Sequence, residues 1–176
     1  PSTYEPMDRA VTRMETLIDN LLMLARRGET IGETEPTSVV AVAEEAWQTI
    51  RAPEATLTIE DDIGSVRADP TRLRQVFENL FRNAIDHVGS SVTIEIGSQS
   101  GDSGTGMYVA DDGPGIEADV RDSLFDPGFS TADSSGIGLA IVERIVDAHG
   151  WDVDAKNDDG AVFELTFGVE TTMSPA

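Results

Sequence analysis

Residues 69–84 read Asp69-Pro70-Thr71-Arg72-Leu73-Arg74-Gln75-Val76-Phe77-Glu78-Asn79-Leu80-Phe81-Arg82-Asn83-Ala84. Asp69 is a helix cap, and Pro70 takes the first helical position, where a missing N–H is harmless. The helix predicted from there runs to about His87. On it Val76, Leu80 and Ala84 share an apolar face, while Asn79 and Asn83, four apart, share a polar face beside it. Two carboxamide oxygens one turn apart can hold a hard cation or its water shell. Taken alone, the pair reads more readily as two ordinary exposed asparagines.

Two further stretches lie downstream. SVTIEIGS (91–98) and TGMYVADD (105–112) alternate as strands, and the second runs into Asp111-Asp112-Gly113-Pro114-Gly115-Ile116. Glycines at alternate positions let the backbone turn sharply and approach a ligand with no Cβ in the way. A carboxylate just before them can accept a hydrogen bond from an exocyclic amine such as that of adenine. A plain strand-ending turn explains the same residues equally well. Then Ser135-Gly136-Ile137-Gly138-Leu139-Ala140 opens a helix reaching about His149. Backbone N–H groups at such a helix start suit phosphate. This is neither a Walker loop, which needs Gly-Lys-Ser/Thr, nor a dinucleotide fingerprint, which needs a strand directly before it.

The rest of the chain supplies the frame. Residues 5–28 read as one amphipathic helix, with Met7, Val11, Met14, Ile18, Leu21 and Ala25 at four-three spacing. Leu17, Leu22 and Leu24 widen that face toward a four-helix bundle. Residues 29–37 read as a polar linker. A helix from Val39 to Ile50 is capped by Ser38, and ATLTIE (55–60) and Ser65 to Ala68 read as strands. WDVDAKNDDGAVFELTFGV (151–169) reads as a hairpin turning at Asn157 to Gly160. Residues 170–176 read as a frayed tail. The expected architecture is a two-layer α/β sandwich over residues 38–169, a mixed sheet covered by helices on one face, preceded by the long helix.

Composition narrows the function classes. The 176 residues carry 12 Lys+Arg against 33 Asp+Glu, a net charge of −21, and Lys156 is the sole lysine. That field repels nucleic acid and anionic membranes, so neither is an expected partner. Cysteine is absent, which excludes disulfides and thiolate chemistry. No run approaches the length of a membrane span and no secretory signal opens the chain, so a cytoplasmic location is expected. Acids spread along the whole length, with lysine nearly lacking, resemble the cytoplasmic proteins of extreme halophiles, here a haloarchaeal one, where counterions screen self-repulsion.

Order and spacing bind the motifs together. The asparagine helix, Asp-x-Gly-x-Gly, Leu124-Phe125-Asp126-Pro127-Gly128-Phe129-Ser130-Thr131 and Gly-x-Gly-Leu closely resemble the histidine-kinase branch of the Bergerat-fold (GHKL) ATPases, over about residues 36–168. The resemblance implies ATP and Mg²⁺ as ligands. By position, Asn83 matches the asparagine that binds Mg²⁺, with Asn79 supporting it, and Asp111 matches the carboxylate that reads the adenine amine. Gly113, Gly115 and Ile116 match the loop the purine approaches. Phe125 and Phe129 match the anchors of the nucleotide lid, and Ser135, Gly136, Gly138 and Leu139 match the place where the lid meets the phosphates.

Two positions depart from the family pattern. Where the family often has lysine and tyrosine after the metal asparagine, this chain has Asp86 and His87. Asp86 cannot neutralise phosphate. His87 can lie along the ribose or base, or simply end the helix half-buried. Residues 126–138 contain no Lys or Arg, which leaves triphosphate charge to Mg²⁺ and the Gly138 helix dipole.

Residues 1–28 resemble the second helix of a dimerisation and phosphotransfer hairpin. Neither His87 nor His149 suits the acceptor role, and His149 is expected to pack or cap. The resemblance therefore implies a kinase fragment that lacks the acceptor histidine and does not autophosphorylate alone. Its partners would be the acceptor-histidine helix of the parent kinase, a response regulator, and a second copy through the hairpin helices. A nucleotide-gated interaction module without phosphotransfer is the alternative. A gyrase-type hydrolase fits worst, because Glu78 points roughly 100° away from Asn79 on the helix.

Overall fold

A computed structural model of the chain describes residues 31–60, 63–101, 104–125 and 138–167, together with positions 7, 10, 11, 14, 15, 18, 21 and 22. Those eight early positions are helical. Met7, Val11, Met14, Ile18 and Leu21, on the predicted seam, are 52–64% exposed, so the apolar stripe is not buried by the described part of the chain. Ala25, Leu17 and Leu24 of the same predicted face lie outside the described residues, as does the 170–176 tail.

The elements that follow are β1 (Glu35–Ser38), α1 (Val39–Gln48), β2 (Thr56–Ile59), β3 (Ser65–Ala68), α2 (Pro70–Val88), β4 (Thr93–Gly101) and β5 (Gly104–Asp111). After them come α3 (Ala118–Arg121), α4 (Gly138–Ala148), β6 (Asp152–Asn157) and β7 (Ala161–Thr166). Five strands form one mixed sheet in the order β2-β4-β5-β7-β6. The β2–β4 pair is parallel and the other pairs are antiparallel. The chain is thus a two-layer α/β sandwich of the Bergerat type.

Both caps read from sequence form. Ser38 Oγ accepts from Ala41 N–H at 3.3 Å, and Asp69 Oδ1 accepts from Thr71 N–H at 3.0 Å and Arg72 N–H at 3.4 Å. On α2, Leu73, Val76, Phe77, Leu80, Phe81 and Ala84 recur at three-four spacing and are all buried. Phe77 and Phe81 stack at 5.8 Å, and Trp47 of α1 meets Phe81 edge-on at 5.3 Å. Burying each phenylalanine is worth about 1.5–3 kcal/mol. With α1 on one side and α4 on the other, α2 is the central helix of its layer.

The sheet meets this layer through one face. Val92, Ile94 and Ile96, Met107 and Val109, and Phe163 and Leu165 are buried, while Thr93, Glu95, Asp152 and Asp154 alternate outward. Charged groups on the outward face of edge strand β6 also discourage pairing with another chain.

Two features differ from the sequence reading. Residues 35–37 fall within the predicted linker yet, with Ser38, form β1, which pairs antiparallel with β3. Its single buried side chain, Thr37, bonds back through Oγ1 to the Ala68 carbonyl at 3.2 Å, a contact whose partner is distant in sequence. Strands β2 and β3, neighbours in sequence, belong to different sheets. Ile63, just before β3, is buried.

Candidate nucleotide site

The site is built where α2 meets the start of α4 and the end of β5. Asn79 is 7% exposed, and its Nδ2 donates to the Gln75 carbonyl at 2.8 Å. That bond aims Oδ1 away from its own helix, toward α4. A Cβ placed on Gly138 would lie 3.1 Å from Asn79 Oδ1. The bare Cα of Gly138 therefore leaves a cradle at the helix start, with an amide oxygen on its wall. Leu139 beside it is buried in the core. Asn83, one turn further along α2, is half-buried. By helical rise it stands about 6 Å along the axis from Asn79.

The far end of α2 closes on the glycine loop. A Cβ at Gly113 would lie 2.3 Å from Val88 Cγ2, the last residue of the helix, so only glycine lets the loop pass so close. Asp111 Oδ1 accepts from Gly113 N–H at 3.0 Å and from Ala161 N–H at 3.2 Å. One carboxylate oxygen thus fixes the rotamer, and the group keeps a second oxygen as an acceptor. Asp112 points elsewhere, and its Oδ1 accepts from Thr93 N–H at 3.0 Å. Gly115 has φ +87°, and Ile116 is half-buried against the core.

The support behind this loop is not legible in the sequence. Asn157 Oδ1 accepts from Ile116 N–H and its Nδ2 donates to the Ile116 carbonyl, each at 2.6 Å. Gly160 (φ +140°) sits so close that a Cβ there would lie 2.0 Å from the Asp111 carbonyl oxygen. In sequence both look like turn residues of the last hairpin, and only strand register brings them to the Asp-x-Gly-x-Gly loop.

Phe125 is half-buried and meets Phe163 of β7 edge-on at 6.3 Å. His87 is exposed near the end of α2. Phe129, Ser135 and Gly136 lie outside the described residues. The structure thus brings together Asn79 with Gly138, and Asp111 with Gly113, Gly115 and Ile116, at the two ends of one stretch of α2.

His149 packs, as its position implied. It stacks on Trp151 at 4.4 Å, its Nε2 accepts from Asp69 N–H at 3.1 Å, and its Nδ1 lies 2.8 Å from the Ile145 carbonyl. These bonds require the neutral ring with the proton on Nδ1. Burial lowers its pKa, against the opposing pull of the Ile145 carbonyl and the Asp69 carboxylate. On the outward face of the sheet, Tyr108 donates to Glu95, and that bond with burial pushes its pKa up to about 12.

This geometry has its counterpart among known proteins. Residues 68–171 match the model of the histidine kinase-, DNA gyrase B- and HSP90-like ATPase family. The chain belongs to that family. It is 34% identical over 169 residues to the sensor histidine kinase ZraS of Klebsiella oxytoca, across 92% of this chain and 36% of that protein. The chain spans about a third of the length of that relative. Among solved structures it is similar to the histidine kinase AdeS of Acinetobacter baumannii, with TM-score 0.70 and 26% identity over 94% of this chain and 84% of that one. It is also similar to the histidine kinase ThkA, solved in complex with response regulator protein TrrA. There the TM-score is 0.71 and the identity 26%, over 94% of this chain and 51% of that one. Among the described residues, no helix is long and apolar enough to cross a membrane.

Proposed function

We propose that the chain is the ATP-binding catalytic domain of a two-component sensor histidine kinase, holding Mg²⁺-ATP with its γ-phosphate turned toward a histidine on a separate helix. The observation that carries this reading is the placement of Asn79 with Gly138 at the middle of α2 and of Asp111 with its glycine loop at the helix's C-terminal end. Phosphate and metal would lie at the first place and adenine at the second. The residues fit such a ligand. Amide oxygens suit a hard cation, the start of α4 at Gly138 offers backbone N–H groups to phosphate oxygens, and Asp111 offers an acceptor to an exocyclic amine.

In this assignment Asn83 holds Mg²⁺ with Asn79 behind it. Asp111 selects adenine, and Gly113, Gly115 and Ile116 form the wall the purine rests on. His87 borders the ribose or base. Phe125 and Phe129 anchor the lid, and Ser135, Gly136, Gly138 and Leu139 adjoin the phosphates. Bound Mg²⁺ would supply positive charge to the phosphate oxygens. The protein's own share is positioning and charge compensation, as in phosphoryl transfer generally.

Residues 1–28 are assigned as the second helix of a dimerisation hairpin, which its exposed apolar stripe supports. Residues 29–34 are the linker, β1 is the first element of the catalytic domain that runs to 169, and 170–176 form a tail. A second copy, an acceptor-histidine helix and a response regulator are the partners. The net charge of −21 with one lysine supports a halophilic source and a saline cytoplasm as the working environment.

The test supplies γ-labelled ATP to this chain together with a hairpin bearing an acceptor histidine. Acid-labile, base-stable label on the hairpin is the expected result. ATP binding without labelling would replace the kinase reading with a nucleotide-gated interaction module, a reading that Asp86 at the usual lysine position favours. Absence of ATP binding would overturn both.

A further inference from the structure

The segment from Asp112 to Glu117 contains no strand or helix, yet in the proposed reading it is the wall on which adenine rests. Gly113 and Gly115 make it more costly to order than ordinary loop, since glycine loses more conformational freedom on folding than any other residue. Something must therefore hold it. Val88 limits how it passes α2, and the remaining grip comes from the β6–β7 hairpin.

That grip has two points. Before the glycines, Ala161 N–H donates to Asp111 Oδ1. After them, the Asn157 amide meets Ile116 N–H and C=O together at 2.6 Å each. This is the exchange of both bonds that one antiparallel strand residue makes with another, supplied here by a side chain. Asn157 and Ala161 are themselves register partners across β6 and β7. One rung of the hairpin thus holds both arms of the loop. The fit extends to Gly115, where a Cβ would lie 2.8 Å from Asn157 Oδ1. Only a side chain with a donor and an acceptor on one short planar group makes both bonds.

We propose that Asn157 is a positioning residue of the nucleotide site, clamping the glycine loop so that the base-recognising wall is preformed. The proposal rests on the ATP-binding reading above. It has a distinctive consequence, because the clamp acts on the adenine end of the site and leaves the Asn79–Gly138 end untouched. Loss of the clamp should weaken binding of the base and spare binding of the phosphates.

The experiment compares wild type, Asn157→Ala and Asn157→Asp in displacing a fluorescent ATP analogue. The competitors are ATP, adenosine and Mg²⁺-tripolyphosphate, with thermal midpoints recorded by circular dichroism. For Asn157→Ala the expected result is roughly ten-fold weaker ATP and adenosine binding, the scale of one or two lost hydrogen bonds, with tripolyphosphate binding unchanged. Asn157→Asp should be as weak at neutral pH, where its carboxylate faces the Ile116 carbonyl. It should recover as acid restores a donor and an acceptor in the same places, a pH profile wild type lacks. If Asn157→Ala does not fold, the aspartate profile decides. Equal losses for adenosine and tripolyphosphate, wild-type affinity in the alanine variant, or no acid recovery in the aspartate variant would each overturn the clamp. A wild type that binds no ATP would instead overturn the reading beneath it.

Discussion

At the scale of single residues, Asp111 is the position where loop support and the proposed base recognition fall on different atoms. Oδ1 is occupied by the Gly113 and Ala161 amides, and an asparagine keeps an oxygen there. Asp111→Asn therefore changes only the second atom, from acceptor to donor, while the loop and its hairpin stay supported. The expected cost is about 2 kcal/mol in ATP binding, from turning a matched polar contact into a mismatched one, which is roughly thirty-fold in affinity. The preference for ATP over GTP should blur, and the thermal midpoint should stay near that of wild type. Unchanged ATP affinity in calorimetric titration would remove Asp111 from base recognition.

At the scale of elements, α2 and α4 are fixed to each other through a short polar chain. Asp69 caps α2, its Oδ2 accepts from Gly32 N–H at 2.7 Å, and its own N–H donates to His149 just past the end of α4. The neutral His149 ring is required there, and burial holds its pKa below the ordinary 6.5. The unfolded chain then binds a proton that the folded chain resists. This contribution to stability is whole above pH 6.5 and is lost as pH falls from there toward the folded-state pKa. Protonating the many carboxylates relieves repulsion over part of the same range, so the informative quantity is a difference. Between pH 7.5 and 5.5, wild type should lose stability relative to His149→Gln in urea unfolding. Parallel curves for the two proteins would show that His149 does not titrate against the fold.

Elements also show how much of this structure is legible in the sequence. Both capped helices could be read, because cap, proline and apolar spacing are local signals carried by Ser38, Asp69, Pro70 and the Leu73–Ala84 face. The residues proposed for the site follow from motif order. Strand β1 could not, since its pairing with β3 and the Thr37–Ala68 bond depend on a partner some thirty residues away. The parallel β2–β4 pair was hidden for the same reason. Asn157 and Gly160 look like turn formers, and nothing nearby tells that register delivers them to Ile116 and Asp111. What sequence conceals here is non-local support, and that support is what holds the glycine loop.

At the scale of the whole molecule, charge dominates. A chain at −21 binding a polyanion should be hindered at low salt, and screening should relieve the repulsion as the Debye length falls from about 30 Å at 0.01 M to about 3 Å at 1 M. ATP affinity at fixed Mg²⁺ is therefore expected to rise as KCl goes from dilute to molar, the reverse of a basic phosphate site. Asp86→Lys should raise affinity most at low salt and flatten the dependence. Titrations belong at concentrations where circular dichroism shows each protein folded, since the fold itself should gain from screening. Affinity that falls steadily with KCl would mean that an arginine reaches the phosphates, with Arg82 or Arg121 the first to replace.

The assignment of α2 to the metal-bound end of the nucleotide stands or falls on Asn83. Calorimetric titration of ATP into wild type and Asn83→Ala, each with Mg²⁺ and with chelator, isolates the metal-dependent part of binding. The amide oxygen is the ligand this helix offers at that position, and alanine preserves the helix. Wild type should bind one ATP per chain, much more tightly with Mg²⁺ than without. Asn83→Ala should lose that gain and bind equally weakly in both conditions. Equal Mg²⁺-dependent affinity in the two proteins would contradict the assignment of α2 to metal and nucleotide.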